Sequence, residues 1–258
     1  MLAALSVLIG IEARAESRTT VTLGPVYFDG KDDYGPDPGE GLANNDWSGA
    51  RDGDGAKLSL RHDWGHAYIA AEGEWLDIRH RSDRIRPNCP TFGGAPPASP
   101  PYENCFRRTA RFSFDDDYTS ALLTLGWKQP VGSAWEAWGQ LGYRYQRWSS
   151  SGGSVQLGLG GPAVPLMDVR HTESTWTAAG GFSRRADRLI LDLGVNYEPE
   201  GYFPSYDASV PNEPLGSSSL LEGIARADWY FTPRWFGRLE YRPSRQRQYL
   251  HAGLGIAF

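Results

Sequence analysis

Hydrophobic and polar residues alternate along most of this chain. Residues 249–258 show it plainly: Leu250, Ala252, Leu254, Ile256 and Phe258 fall on one face at period two, and Tyr249, His251, Gly253, Gly255 and Ala257 on the other. The same period predicts ten strands, at 18–29, 55–63, 67–80, 107–127, 135–148, 170–183, 188–198, 218–231, 235–242 and 249–258. The fifth is the most regular. Trp135, Ala137, Gly139, Leu141, Tyr143 and Tyr145 point one way, and Glu136, Trp138, Gln140, Gly142, Arg144 and Gln146 the other. The third has Ala67, Ile69, Ala71, Gly73 and Trp75 on its apolar face and Glu72 and Glu74 behind it.

The connections between these strands are sorted by length. Long Gly-, Pro- and Ser-rich connections at about 30–53, 81–106, 149–169 and 199–217 alternate with short turns at 63–66, 128–134, 184–187 and 232–234. Trp64, Trp127, Trp135, Trp229, Phe231 and Trp235 gather near the short turns. Long loops at one end, short turns at the other and an aromatic girdle at an interface are the plan of an all-β, transmembrane, antiparallel up-and-down β-barrel. Glu222, Arg226, Asp228, Arg238, Glu240 and Arg242 then point into the lumen. Left unpaired, each would cost several kcal/mol (~3–5) to bury, so charges of both signs predict a paired network that plugs the interior.

Composition agrees. Mean hydropathy is −0.49, and no internal run of about 18 apolar residues could form a membrane helix. Alternating faces cancel in such an average, so a membrane barrel stays open. Aromatic residues make up 13% of the chain. The net charge is −5, without a strong basic tract, which argues against nucleic acid as a partner. Residues 1–15 read as a signal peptide: an apolar run to Ile11, then Ala13-Arg14-Ala15 as a small-x-small cleavage site. The mature domain is then 16–258, in an exported protein whose two cysteines, Cys89 and Cys105, flank a Pro-rich loop and read as one disulfide. No metal-ligand cluster, nucleotide loop or cofactor motif is present in the sequence.

The final segment, with an alternating apolar face and a terminal Phe, resembles the closing strand of bacterial outer-membrane barrels. That resemblance implies an assembly signal in Tyr249, Leu254, Ile256 and Phe258, read by the barrel-assembly machinery, and a bacterial outer-membrane location. Other stretches resemble the omptins, the ten-stranded outer-membrane proteases: Leu141-Gly142-Tyr143 followed by Arg147-Trp148-Ser149 and Gly152-Gly153-Ser154, then Tyr230-Phe231-Thr232-Pro233 followed by Leu239-Glu240, and Leu125-Gly126-Trp127 before a Pro-containing turn. The family's chemistry uses an acidic pair on one wall and an Asp–His pair on the other to activate water. Asp207 stands about where that Asp is expected, but Ser209 follows in place of His, and Asp77 and Asp83 lack the acidic pair's spacing. The resemblance thus implies the omptin architecture with an incomplete catalytic set.

Remaining candidates read more plainly. Of Asp115, Asp116 and Asp117, at most Asp115 and Asp117 share a face, at a solvated outer rim. His171 and Glu173 read as a surface pair, and His251 as a satisfied lumen residue near Glu240 or Arg238. Arg184, Arg185 and Arg188 crowd one short turn and read first as solvated, with anionic headgroups as the alternative. The expectation is a non-proteolytic barrel with a structural, adhesive or ligand-binding role through its external loops. Its expected partners are outer-membrane lipid, with lipopolysaccharide as the bound lipid to consider, and an external ligand. The alternatives are a divergent omptin-type aspartic endopeptidase and a narrow porin or transport barrel.

Overall fold

The computed structural model describes residues 17–34, 46–88, 106–157, 163–165, 168–199, 220–244 and 247–258. Ten long strands form one antiparallel meander: β1 (Arg18–Tyr34), β2 (Asp46–Trp64), β3 (Ala67–Asn88), β4 (Phe106–Pro130), β5 (Trp135–Leu157), β7 (Val169–Ala186), β8 (Leu189–Glu198), β9 (Leu220–Tyr230), β10 (Trp235–Pro243) and β11 (Arg247–Ala257). A three-residue strand, β6 (Ala163–Pro165), adds to the outer end of β5. The sheet closes where β1 pairs with β11, with Thr20 opposite Ala257 and Gly30 opposite Arg247. Closure removes the edges, so every ladder in the membrane-facing part finds a partner.

The exterior is the reverse of a soluble protein's. Leu23, Leu58, Leu123, Leu125, Leu141, Leu193, Leu221, Leu239 and Leu254 all stand exposed on it. Such a surface is stable only against lipid. Two aromatic rings bound this band. The lower one comprises Trp64, Trp127, Trp135, Phe182, Trp229, Phe231, Trp235 and Phe258; the upper comprises Tyr27, Trp75, Tyr143, Tyr145, Trp176, Tyr197 and Tyr241. The upper ring was not evident in the pattern of turns. Tyr143 and Trp176 meet edge-on there, centroids 5.0 Å apart. From Trp135 to Tyr145, a tilted strand climbs about 25 Å, the height of an outer-membrane apolar band.

Strand lengths are unequal. β8 and β10, of 10 and 9 residues, little more than cross the band. β3, β4 and β5, of 22, 25 and 23 residues, continue far beyond it. At about 3.3 Å per residue and about 40° of tilt, β4 rises about 60 Å. β1 and β2 likewise extend to Tyr34 and from Asp46, into the stretch expected as connection 30–53. Above the upper ring the amphipathic phase inverts. On β3, Trp75 faces out, but Leu76 and Ile78 face in, while Asp77 and Arg79 are exposed outside.

Local chain chemistry fixes the ends. The tight β2–β3 turn needs a left-handed residue, supplied by Gly65 at φ 66°. At Ser113/Asp115 the β4–β5 register shifts, and the extra residue on β5 is accommodated by Gly152 at φ 62°. The start of β1 meets the end of β11 at the short-turn end, where Phe258 N–H donates to Thr19 O at 2.9 Å.

Candidate functional site

The lumen is filled from side chains whose inward position follows from strand parity. Its middle layer is ionic. Lys57 Nζ, from β2, lies 2.9 Å from Glu72 and 3.8 Å from Glu74 on β3, and 3.3 Å from Glu240 across the barrel. Arg242 reaches Glu240 at 2.5 Å and Glu72 at 3.5 Å. Arg238 holds Asp228 through two bonds of 2.7 Å each, and Arg226 holds Asp192 through two donors. Arg247 binds Glu222 at 2.6 Å and Arg144 binds Glu198 at 2.9 Å. At the short-turn end, Asp63 joins Arg61 and Lys128. These pairs join the cations Lys57, Arg61, Lys128, Arg144, Arg226, Arg238, Arg242 and Arg247 to the carboxylates Asp63, Glu72, Glu74, Asp192, Glu198, Glu222, Asp228 and Glu240, eight of each sign.

The six sequence-predicted lumen residues are therefore brought together: Glu222, Arg226, Asp228, Arg238, Glu240 and Arg242 all belong to this layer, each paired with an opposite charge. The prediction did not include Lys57, Arg144, Asp192, Glu198 and Arg247 in the network. Their signal was a charge at inward parity on an otherwise apolar strand. Which strand would answer across the lumen, as for Lys57 and Glu240, 183 residues apart, has no local signature.

Two further layers seal the ends. Below, Phe236 is fully buried against Tyr230, 4.9 Å between centroids, and Tyr68 donates to Gln140 at 2.9 Å beneath the Arg61 guanidinium. Above, Val26, Phe28, Leu76, Ile78, Tyr118 and Tyr249 make an apolar core contributed by β11, β1, β3 and β4, flanked by Trp148. Lys57 and Glu240 keep 1% of their surface accessible and His251 none. A water-filled bore would expose all three. Within the ionic layer lies a polar cavity of about 40 Å³ lined by Glu72, Trp138, Arg144, Arg226, Arg238 and Glu240, room for about three waters. His251 departs from the expected satisfied state. Neither ring nitrogen has a hydrogen-bond partner among the described residues, nor do Glu240 Oε2 and Trp138 Nε1. Ordered water is the physical way to satisfy such groups.

Other sequence candidates fall as follows. Tyr249 lies inside and donates to Glu74 at 2.7 Å, whereas Leu254 and Phe258 face outward and Ile256 is half-buried. Asp116 is buried in the upper lumen, within electrostatic reach of His80 and Arg51. His80 is buried as well. Asp115 and Asp117 stand outside, Asp115 opposite Arg79 and Asp117 opposite Asp77. Glu173 accepts from Gln146 at 2.9 Å. The signal peptide, Cys89, Cys105 and Asp207 lie outside the described residues.

No protein-family model and no curated protein matches this chain. Among solved structures, the outer membrane protease OmpT from Escherichia coli superposes over 97% of this chain and 99% of its own, with a TM-score of 0.52 at 11% identity. The transport unit of the autotransporter AIDA-I from Escherichia coli aligns over 96% of this chain and 91% of its own, at 10% identity and a TM-score of 0.45. The translocator domain of autotransporter NalP from Neisseria meningitidis covers 100% and 92%, at 14% identity and a TM-score of 0.41. With its lipid-facing exterior and closed meander, the chain has the fold of a ten-stranded bacterial outer-membrane β-barrel.

Proposed function

We propose that this barrel neither conducts nor cleaves, and that it works as a binding or adhesive platform at the cell surface. The observation that carries the reading is the filled lumen: a charge-balanced ionic layer below an apolar core, with buried residues at every depth. Transport needs a path through that interior. Omptin-like hydrolysis needs a solvent-open groove between acid and imidazole, and the space where one would begin is occupied by Val26, Phe28, Ile78 and Tyr118. What is left to contact the surroundings is the outer wall of β1 to β5 and the connections above it.

The test is a quenched-peptide library presented to protein refolded in detergent with lipopolysaccharide, its folding verified by heat-modifiable gel mobility. No cleavage, together with cell-surface binding that disappears when 199–217 is replaced by a short Gly-Ser linker, is the expected result. Cleavage abolished by Asp207→Asn would replace this reading with an endopeptidase.

A further inference from the structure

Two groups of arginines in this barrel differ in their partners. Arg144, Arg226, Arg238, Arg242 and Arg247 in the lumen are paired with carboxylates. Those at the short-turn rim, Arg18, Arg184, Arg185, Arg188 and Arg234, have no carboxylate partner among the described residues, although Glu136 and Asp187 are exposed at the same rim. Four of the five are exposed. They are clustered by the fold: Arg184 lies opposite Trp135 in the β5–β7 ladder, Tyr230 N–H donates to Arg188 O at 2.8 Å, and Arg18 donates to Pro233 O at 3.4 Å.

Their depth is set by their neighbours. The Arg184 guanidinium carbon lies 5.4 Å from the centre of the Trp135 ring, on the lipid-facing side, and Arg18 lies 4.8 Å from that of Tyr230. Trp135, Trp229, Phe231 and Trp235 are the lower aromatic ring, which sits at headgroup level. Short turns mark this end as periplasmic. The opposite interface carries both signs: Asp52, Asp54, Asp77, Asp115 and Asp117 are exposed just above the upper ring, and Arg79, Arg81 and Arg147 stand exposed among them.

We propose that the periplasmic rim between β5 and β10 is a docking surface for the phosphate groups of anionic phospholipid in the inner leaflet of the outer membrane. Exposed guanidiniums without carboxylate partners, held at headgroup depth beside aromatic rings, suit a phosphodiester through charge-assisted, bidentate hydrogen bonds. The choice of lipid over a soluble anion rests on Arg184, which is aligned with the lipid-facing ring rather than with the lumen.

The experiment uses the full refolded barrel in neutral-detergent micelles containing equal amounts of phosphatidylglycerol and phosphatidylcholine, with retained lipid counted by native mass spectrometry. The unmodified protein should retain phosphatidylglycerol over phosphatidylcholine by about tenfold, falling as salt rises, given the usual attraction of clustered arginines to an anionic surface. Arg184→Gln/Arg185→Gln/Arg188→Gln/Arg234→Gln should erase the preference, and the matching Lys variant should restore most of it. Should the fourfold variant fail to fold, Arg188→Gln and Arg234→Gln in the turns should each lower the preference several-fold. Arg79→Gln/Arg81→Gln at the outer end should leave it unchanged. Equal retention of both lipids by the unmodified protein, or an undiminished preference in the rim variants, overturns the proposal. So does its loss in the outer-end variant.

Discussion

Replacing Lys57 by Met removes the one cation that touches Glu72, Glu74 and Glu240 together. Met fills the same space without the charge. Arg242 still holds Glu240 at 2.5 Å and Glu72 at 3.5 Å, so the exposed cost is concentrated on Glu74, left with Tyr249 and Ser120. At about 4 Å and an effective dielectric of 20, one lost attraction is worth about 4 kcal/mol. Breaking buried pairs by removing a single partner costs about 3–5 kcal/mol. Lys57→Met should therefore destabilise the refolded barrel by about 3 kcal/mol or more, read as a lower urea midpoint by tryptophan fluorescence and by gel mobility. Adding Glu74→Gln to Lys57→Met should recover part of the loss, because it removes the stranded charge, and the cycle should give a coupling of about 1–3 kcal/mol. A loss below about 1 kcal/mol, the scale of solvent-exposed pairs, would refute the reasoning and mean that water screens the lumen.

Three further outcomes follow from the geometry. A Cβ on Gly255 would lie 2.3 Å from Phe236 Cζ, and that ring is fully buried, so Gly255→Val should lower the folding yield into vesicles and destabilise by more than about 1–3 kcal/mol. Leu123→Arg puts a charge on the lipid face within the apolar band and should cost about 2–4 kcal/mol in urea titrations of the vesicle-inserted protein, while Arg147→Leu above the band should cost far less. Asp77 faces Asp54 on one side and Asp117 on the other, so Asp77→Thr should raise the urea midpoint, by about 0.5 kcal/mol of relief, more at low salt than at high.

Strand parity was legible within the membrane band because lipid outside and charge inside impose opposite chemistry on alternate residues. That is why Trp135 to Tyr145, and Leu250 to Phe258, read so directly. Strand extent was less legible. Past Trp75 the phase inverts, with Leu76 and Ile78 turned inward and Asp77 and Arg79 outward, and the strand expected over 67–80 continues to Asn88. The upper aromatic ring was hidden for a related reason: Trp176, Tyr197 and Tyr241 do not neighbour the short turns at 63–66, 128–134, 184–187 and 232–234 that marked the lower ring. The ionic layer was half legible. Inward charge at Glu222, Arg226, Asp228, Arg238, Glu240 and Arg242 followed from parity, but the pairings of Lys57 with Glu240 and of Arg144 with Glu198 depend on distances across a closed barrel. His251 shows the limit of such reading. Its inward position follows from alternation, while its lack of protein partners depends on how neighbouring arms settle around a small cavity.

The central claim is that the interior is solid. Single-channel recording in planar lipid bilayers tests it most directly, with insertion confirmed by protease protection of the embedded protein. The filled lumen predicts no stepwise conductance across the full range of applied voltage, from a protein that is demonstrably inserted. Stable, uniform conductance steps that change size when Arg238 or Arg242 is replaced would show an aqueous path through the ionic layer and contradict the account.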